Sequence, residues 1–218
     1  MKKWLIVIVL LLIVLGVTAF FLIQKEEKFP YTVLSGKPSL SGEIVKNPDF
    51  NYSGYGFLSP EHAIEGIPIL ERTKIDWNSD GCYRNITVYG RSGFIVIHPL
   101  NLTQGRYIEQ EVYLPPGKEY VLNVGLANVA GELPWAGSIG CDDVGFKILI
   151  KDLTTNTEKV IFNTIINAED GWKDFSIFLG SKYSGKKIVL RIESYSGGPC
   201  GKWGGEWGAV DYLDITSK

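Results

Sequence analysis

Hydrophobic and polar residues alternate along residues 107–128, YIEQEVYLPPGKEYVLNVGLAN, and this alternation predicts two β-strands. Between the two runs, Pro115, Pro116 and Gly117 cannot continue a strand ladder and predict a chain reversal. We therefore expect the two runs to form an antiparallel hairpin with a slightly long loop. The predicted inward positions are Ile108, Gln110, Val112 and Leu114 in the first run, and Leu122, Val124 and Leu126 in the second.

The same period of two recurs in the rest of the chain. Short β-branched runs at 85–89 and 93–97 flank a Gly-Arg-Ser turn and predict a hairpin, and further strands are predicted at 145–151 and 160–165. Short strands separated by turn signals at this spacing predict an all-β fold, a sandwich or jelly roll. The apolar residues expected to face inward in the later strands are Phe146, Ile148, Ile150, Phe175, Ile177, Leu179, Ile188, Leu190 and Ile192.

The N-terminal segment has a different pattern. Residues 4–23 are twenty residues without a charge, and as a helix they would span about 30 Å of hydrocarbon. This length predicts a retained transmembrane anchor; the alternative is a cleaved signal peptide, with small residues at 17–19 near a cleavage point. Lys2 and Lys3 precede the span, so residues 1–3 are expected in the cytoplasm and the rest of the chain outside a single-pass cell membrane protein.

Residues 24–41 are polar and contain prolines, glycine and serines, which predicts a stalk that lifts the domain off the membrane. The apolar residues 31–34 offer the alternative of a first edge strand. The globular domain is then expected at 42–218, a length that suits one large all-β domain.

Charge and sequence motifs limit the classes of partner and the location that the chain can have. The formal net charge is -2 and basic residues are spread among acidic ones, so no basic surface is predicted and nucleic acid is excluded as a partner. Asn51, Asn85 and Asn101 begin Asn-x-Ser/Thr sequences, which agrees with an extracellular glycoprotein.

Three cysteines are present, Cys82, Cys141 and Cys200. If neighbouring strands alternate in direction, their loops fall at one end of the sandwich, and an exterior location permits oxidation. We predict a Cys141–Cys200 disulfide, because both residues lie in long glycine-rich loops that a cross-link would stabilise. The alternative is three reduced thiols. The odd cysteine is expected to be buried or to link a second copy as a homo-oligomer.

The same loops carry aromatic and acidic residues, which suit a carbohydrate ligand. Sugar rings stack their C–H faces on aromatic rings while their hydroxyls form directional hydrogen bonds. The alternative is that the tryptophans cover the core and the ends of the sandwich. The predicted ligand-binding residues are Trp135, Trp203, Trp207, Tyr195, Asp142, Asp143 and Glu206, with Tyr55, Trp77 and Tyr83 as lesser candidates.

Asp211 is predicted to share a strand face with the apolar Ala209, Leu213 and Ile215. An inward carboxylate needs a cation or several hydrogen-bond donors. The alternatives are a carboxylate that caps loop N–H groups, or one that faces solvent if the register is displaced by one residue.

Motifs for catalysis are missing. Neither His62 nor His98 belongs to a His-Glu-x-x-His pair, and no Gly-x-Ser-x-Gly sequence is present. A glycosidase needs two suitably placed carboxylates, but the spacing of the acidic residues does not require one. We expect no enzymatic activity, and glycoside hydrolysis is the class that would apply otherwise.

Several segments resemble known modules. "VKNPDF" resembles the Asn-Gly-Asp-Phe-Glu opening of jelly-roll carbohydrate-binding modules of families 4, 9 and 22, of the galactose-binding-like superfold. Residues 107–128 resemble their central strands, and "GWKDFSIFLGSKYSGKKIVLRIES" and "WGAVDYLDI" resemble their last strands. The resemblance covers 43–215 and implies a jelly-roll sandwich that binds carbohydrate. It also implies a structural calcium ion (Ca²⁺) where the closing strand meets the opening turn, which maps onto Asp211 and Asp49.

The sequence thus predicts an exterior, membrane-anchored domain that binds a glycan or polysaccharide without catalysis. The alternative is a structural or assembly domain of the cell envelope or of a membrane complex, with a protein partner. Such a domain would expose a flat apolar patch or an open edge strand, for which residues 31–34 are the candidate.

Overall fold

Two antiparallel sheets pack face to face in this chain. The computed structural model describes residues 28–50, 77–79, 82–97, 107–130, 132, 143–196 and 207–218. The strands are β1 Tyr31–Leu34, β2 Asn78–Ser79, β3 Cys82–Val88, β4 Arg91–Ile97, β5 Tyr107–Leu114, β6 Tyr120–Asn128, β7 Asp143–Asp152, β8 Thr157–Asn167, β9 Lys173–Gly180, β10 Lys186–Ser196 and β11 Gly208–Ser217.

Sheet A has the strand order β1-β9-β6-β11-β4-β3, and sheet B has the order β2-β5-β10-β7-β8. Every neighbouring pair is antiparallel. The predicted all-β sandwich is therefore confirmed. A single 3₁₀ turn, Ala168–Asp170, is the one helical element in the part of the chain that the structure describes.

One large apolar core lies between the two sheets. The period of two assigns side chains to this core correctly, because the long strands bury the residues that were expected to face inward. One such residue from each of five strands is Ile108, Leu122, Phe146, Ile177 and Leu190. Gln110 is buried too, as expected, and its amide exchanges two hydrogen bonds with the backbone of Lys46, at 2.8 and 2.9 Å.

The predicted hairpin at 107–128 is wrong in its pairing. β5 pairs with β2 and β10 in sheet B, whereas β6 pairs with β9 and β11 in sheet A. The loop at 115–119 therefore carries the chain from one sheet to the other, and the two inner faces meet across the core. Alternation reveals which face of a strand is buried, but it does not reveal which strand is the neighbour.

The other predicted hairpin is confirmed, with its turn at residues 89–90 instead of the predicted 90–92. β3 and β4 pair across the turn at Tyr89 and Gly90, which both have positive φ, 48° and 78°. Positive φ at both central residues is the geometry of a tight hairpin turn that matches the twist of its strands. This turn delivers Arg91 to the start of β4.

Residues predicted as a stalk pack against the sandwich from Lys28 onward. Phe29 is buried and stacks on Tyr183 with ring centroids 6.2 Å apart, and β1 pairs with β9 at the edge of sheet A. The alternative of an edge strand at 31–34 is the one that the structure has. Farther along, Ser41 N donates to Asp214 at 2.6 Å, so the segment after β1 contacts β11. The buried Phe29 and the pairing of β1 with β9 hold this segment on the sandwich.

The predicted transmembrane helix at 4–23 lies outside the described residues. Among the residues that are described, no helix is long and apolar enough to span a membrane.

Candidate functional site

A β-bulge in β11 places Asp211 differently from the predicted register. Val210 pairs with Leu126 and Tyr212 pairs with Gly125, so Asp211 is the extra residue. As a result Val210 faces the core with the later residues Leu213 and Ile215, whereas Ala209 belongs to a second apolar cluster outside the core. The predicted shared face of residues 209, 211, 213 and 215 is therefore wrong.

The bulge brings Asp211 into a charged cluster built on the outer side of sheet A. We define the Arg91 cluster as Lys37, Arg91, Asp174, Asp211 and Tyr212. Arg91 Nη1 and Nη2 donate to the two carboxylate oxygens of Asp174 at 2.8 and 2.6 Å, a bidentate pair, and Nη1 also reaches Asp211 at 3.1 Å. Lys37 Nζ lies 3.2 Å from Asp211, and the Tyr212 hydroxyl donates to Asp174 at 2.9 Å.

Aromatic rings hold the guanidinium in place. The Arg91 guanidinium lies over the Trp172 ring, 5.4 Å from its centroid. Trp172 Nε1 donates to Val88 O at 2.8 Å, and its ring packs edge-on against Phe94 at 5.4 Å. Trp172 thus links the Arg91 cluster to the second apolar cluster, which contains Val88, Phe94, Val96, Ala127, Val129 and Ala209.

Gly125 makes room for the tyrosine of the cluster. It lies opposite Tyr212 on the neighbouring strand, and a Cβ placed on it would come within 2.5 Å of the Tyr212 ring. The ring therefore covers the glycine, an arrangement known for Gly–aromatic pairs in sheets. Lys37 Nζ lies on the same ring, 5.3 Å from its centroid.

Burial and charge fix the protonation of two members of the cluster. Burial lowers the pKa of Arg91, but the hydrogen bonds and charges of Asp174 and Asp211 outweigh it and hold that pKa above its ordinary value. Burial raises the pKa of the Tyr212 hydroxyl, and the negative charge of Asp174 raises it further. Tyr212 therefore remains a neutral hydrogen-bond donor. Near the cluster, burial also raises the pKa of Asp214.

The members of the Arg91 cluster differ in their access to solvent. The side chains of Asp174 and Asp211 are 3% and 2% exposed, whereas those of Arg91 and Lys37 are 19% and 36% exposed. Tyr89 stands at the turn that precedes Arg91 and is 38% exposed. The accessible part of the site is thus a set of cationic donors beside aromatic rings, with the carboxylates held behind them.

Of the seven predicted ligand-binding residues, the structure describes three, Trp207, Tyr195 and Asp143. Trp207 packs against the second apolar cluster on sheet A, as Trp172 does. Tyr195 and Asp143 belong to sheet B, on β10 and at the start of β7. The remaining predicted residues lie outside the described part of the chain: Trp135, Asp142, Trp203 and Glu206.

Tyr195 has its own surroundings on the outer face of sheet B. Its hydroxyl donates to Asn163 Oδ1 at 2.6 Å, Lys147 Nζ lies 4.9 Å from its ring centroid, and its ring covers Gly145. Burial raises the pKa of this hydroxyl. Farther along the same face, Arg191 pairs with Glu109.

Sequence reasoning missed Lys37, Arg91, Asp174 and Tyr212. Arg91 and Asp174 lie 83 positions apart, and no spacing rule joins them.

The calcium site predicted at Asp49 and Asp211 stays a prediction. The opening turn does meet the closing strand, because Leu213 N donates to Pro48 O at 2.8 Å. The Asp211 carboxylate has two cationic partners in this structure, Arg91 and Lys37. No group of three or more His, Cys, Asp or Glu in the described ranges is arranged to hold a metal ion.

The remaining predicted sites fall largely outside the described residues. Cys141, Cys200, Asn51 and Asn101 lie there, and so does Tyr55. The backbone of Cys82, Tyr83 and Asn85 belongs to β3. Trp77 is buried in the main core and its Nε1 donates to Asn47 O at 3.0 Å, which is a structural role.

Comparisons with known proteins give structural matches only. No protein-family model matches the chain, and no curated protein matches it. One matching solved structure is the CBM22-1–GH10 part of xylanase 10B from Clostridium thermocellum, complexed with xylohexaose, with 20% identity, 66% of this chain covered and a TM-score of 0.44. This chain spans 26% of that two-module chain.

Two further matches are isolated modules. TmCBM61 in complex with β-1,4-galactotriose is 16% identical, with 79% of this chain and 97% of that chain covered and a TM-score of 0.44. The CBM22-1 xylan-binding domain of Paenibacillus barcinonensis Xyn10C is 13% identical, with 66% and 87% covered and a TM-score of 0.44. These three matches are or contain carbohydrate-binding modules, the class that the sequence resemblance predicted. All three TM-scores are below 0.5, so these matches do not locate a ligand site on this chain.

Proposed function

We propose that this chain is an exterior, membrane-anchored domain that binds carbohydrate without catalysis, through the outer face of sheet A at the Arg91 cluster. One observation carries the proposal: the Arg91 guanidinium is paired with Asp174, stacked on Trp172 and still partly open to solvent. Arg91 lies on the outside of the sheet, so it is not needed to fill the core. Because its N–H donors are held in a fixed geometry, they suit recognition of a ligand.

The chemistry of the site matches a polyhydroxyl ligand. Arg91 and Lys37 present N–H donors to hydroxyl oxygens, and the carboxylates of Asp174 and Asp211 orient those donors. The aromatic rings of Tyr89 and Trp172 supply flat apolar surface for the C–H face of a sugar ring. Such a site combines a few directed polar groups with apolar surface, as ligand sites generally do.

The same contacts argue against hydrolysis. A glycosidase needs a carboxylic acid that protonates the leaving oxygen and a second carboxylate that acts as nucleophile or base. Asp174 and Asp211 each accept hydrogen bonds from cationic side chains and are almost fully buried. The proposed function therefore ends with binding.

The exterior location rests on the sequence. Residues 4–23 contain no charge and have the length of a membrane span, and Lys2 and Lys3 precede them. An anchor of this kind would keep bound polysaccharide at the cell surface.

A glycan array on the full chain in lipid nanodiscs tests the proposed function. We expect one class of glycan to be retained, and the double variant Lys37→Met/Tyr89→Asn to lose it. Asp211 keeps Arg91 as a partner when Lys37 is removed, and asparagine tolerates the positive φ at position 89. The matched control is Tyr113→Asn, an exposed tyrosine on sheet B. A blank array from the folded chain would contradict the proposal and favour the envelope-assembly alternative.

A further inference from the structure

Exposed apolar side chains are concentrated on two edge strands. Four of the large apolar residues that are exposed in the described ranges lie on β1 or β8: Tyr31 (56%), Val33 (61%), Val160 (43%) and Ile165 (50%). β1 is the edge of sheet A and β8 is the edge of sheet B. The Tyr31 ring packs edge-on against Phe162 of β8, 5.1 Å between centroids, so the two edges meet along one side of the sandwich.

Lysines border the same side. A groove between the edges is lined by Lys28, Lys147 and Lys159 together with the aromatic residues Phe29, Tyr31 and Phe162, and Glu158 is its one acidic residue among those described. Lys159 and Lys182 place their ammonium groups over the Phe29 ring, 5.6 and 5.2 Å from its centroid. We call this surface the edge flank and define it as Lys28, Tyr31, Val33, Lys159, Val160 and Lys182.

The chain enters the sandwich at the edge flank. The predicted membrane span ends at Ile23, and Lys28 is five residues later. Five extended residues reach at most about 18 Å. The edge flank is therefore the side of the sandwich that the anchor holds nearest to the bilayer.

We propose that the edge flank docks on a lipid bilayer surface that carries anionic headgroups. The positive charges of the lysines complement the negative charges of the headgroup phosphates. Tyr31, Val33 and Val160 supply apolar surface for the boundary between the headgroups and the acyl chains. Aromatic residues beside lysines are typical of membrane interfaces. This proposal rests on the anchored topology of the proposed function.

Docking by the edge flank sets the orientation of the outer face of sheet A, which carries the Arg91 cluster. Because the edge flank contains the edge strand of each sheet, both sheets stand upright on the membrane and their outer faces point sideways. The Arg91 cluster is then open to a polysaccharide that runs along the cell surface.

Hydrogen–deuterium exchange on the full chain, with one chain per nanodisc, tests the docking. We expect the amides of β1 and β8 to exchange at least several-fold more slowly in discs that contain phosphatidylglycerol than in discs of phosphatidylcholine alone. High salt is expected to reduce the difference, because it screens exposed charges. The exchange of β5, whose strand neighbours lie on both sides, serves as the internal reference.

Two triple variants distinguish the effect of the edge-flank charges on this protection from the effect of the net charge of the chain. Lys28→Glu/Lys159→Glu/Lys182→Glu is expected to abolish the lipid-dependent protection. Lys46→Glu/Lys118→Glu/Lys187→Glu changes the net charge equally at exposed positions elsewhere and is expected to leave the protection intact. The thermal midpoints of both variants in detergent show that the sandwich still folds.

Three results would overturn the proposal. Equal exchange of β1 and β8 in the two lipids would exclude docking, and protection that needs two chains per disc would indicate strand pairing between copies instead. Release of the chain from membranes by alkaline extraction would overturn the anchored topology and the docking with it. None of these results affects the outcome of the glycan array. Failure of membrane docking and failure of glycan binding are therefore distinguished by separate experiments.

Discussion

Arg91 and Asp174 form a bidentate ion pair on the outside of sheet A, although they are 83 positions apart in the chain. The strands that carry them, β4 and β9, are not neighbours; β11 and β6 lie between them. The pair therefore spans the sheet surface, and Gly125 and the Tyr212 ring lie beneath it. The Arg91 side chain therefore reaches from β4 across β11 and β6 to the Asp174 carboxylate on β9.

Removal of the Arg91 side chain is expected to lower the stability of the fold. In Arg91→Met, Asp174 loses its cation and Asp211 keeps only Lys37, so two buried carboxylates are poorly compensated. We expect the free energy of unfolding to fall by about 3–5 kcal/mol. The control Arg191→Met removes the more exposed pair with Glu109 and should cost about 1 kcal/mol or less. Urea unfolding of both variants measures the difference; equal losses would mean that the Arg91 cluster is no more than a surface ion pair.

Two glycine–tyrosine pairs provide a second comparison. Gly125 lies opposite Tyr212, and Gly145 lies opposite Tyr195; a Cβ on either glycine would collide with the ring. Tyr212 is fully buried, so Gly125→Ala should cost about 1–3 kcal/mol of unfolding free energy. Tyr195 is only partly buried and its ring can move toward solvent, so Gly145→Ala should cost clearly less. The reverse order in thermal or urea unfolding would contradict the packing described for Tyr212.

Alternation predicted the inner faces of this sandwich well, because burial on one side leaves a period of two in the sequence. Phe175, Ile177 and Leu179 were expected on one face of a strand and are all in the core. The same pattern did not show that β5 and β6 belong to different sheets, because a loop between sheets can contain the same prolines and glycine as a hairpin turn.

The candidate site was largely beyond sequence reasoning. The bulge at Asp211 shifts the register of β11 by one residue, and nothing in the local sequence marks it. Lys37, Arg91 and Asp174 come from three distant segments, the stretch after β1, the start of β4 and the start of β9, so their proximity depends on the tertiary fold. The prediction of a ligand site in the tryptophan-rich loops stays a prediction, because most of those residues lie outside the described part of the chain.

The pH dependence of stability is expected to show a contribution from Asp152. A hydrogen bond from Lys186, together with those from Thr154 N and Thr155 N, holds the pKa of Asp152 at about 2, below its ordinary value of 3.8. The unfolded chain then binds the proton more readily, so this stabilisation is complete above about pH 4 and is lost as the pH falls through 2. Urea unfolding from pH 6 downward should show wild type and Asp152→Asn converging in this window. A constant difference would contradict the assignment.

Residues 28–36 are expected to belong to the folding unit. A chain that begins at Lys37 lacks Phe29 and β1, and it should lose about 3 kcal/mol of stability or more, as for removal of a buried phenylalanine. A chain that begins at Gln24 retains both and is the control. Denaturant unfolding compares them. Equal stability would restore the stalk interpretation of this segment.

The affinity of the full chain in nanodiscs for the glycan class found on the array is the most direct test of the central claim. Isothermal titration calorimetry compares the wild type with three variants. One is the double variant Lys37→Met/Tyr89→Asn on sheet A, and the other two are the single variants Tyr195→Ala and Tyr113→Asn on sheet B. We predict at least about tenfold weaker binding for the sheet A variant, about 1.4 kcal/mol, and unchanged binding for both sheet B variants. Lost binding in Tyr195→Ala with full binding in the sheet A variant would contradict the claim and place the ligand on the opposite face.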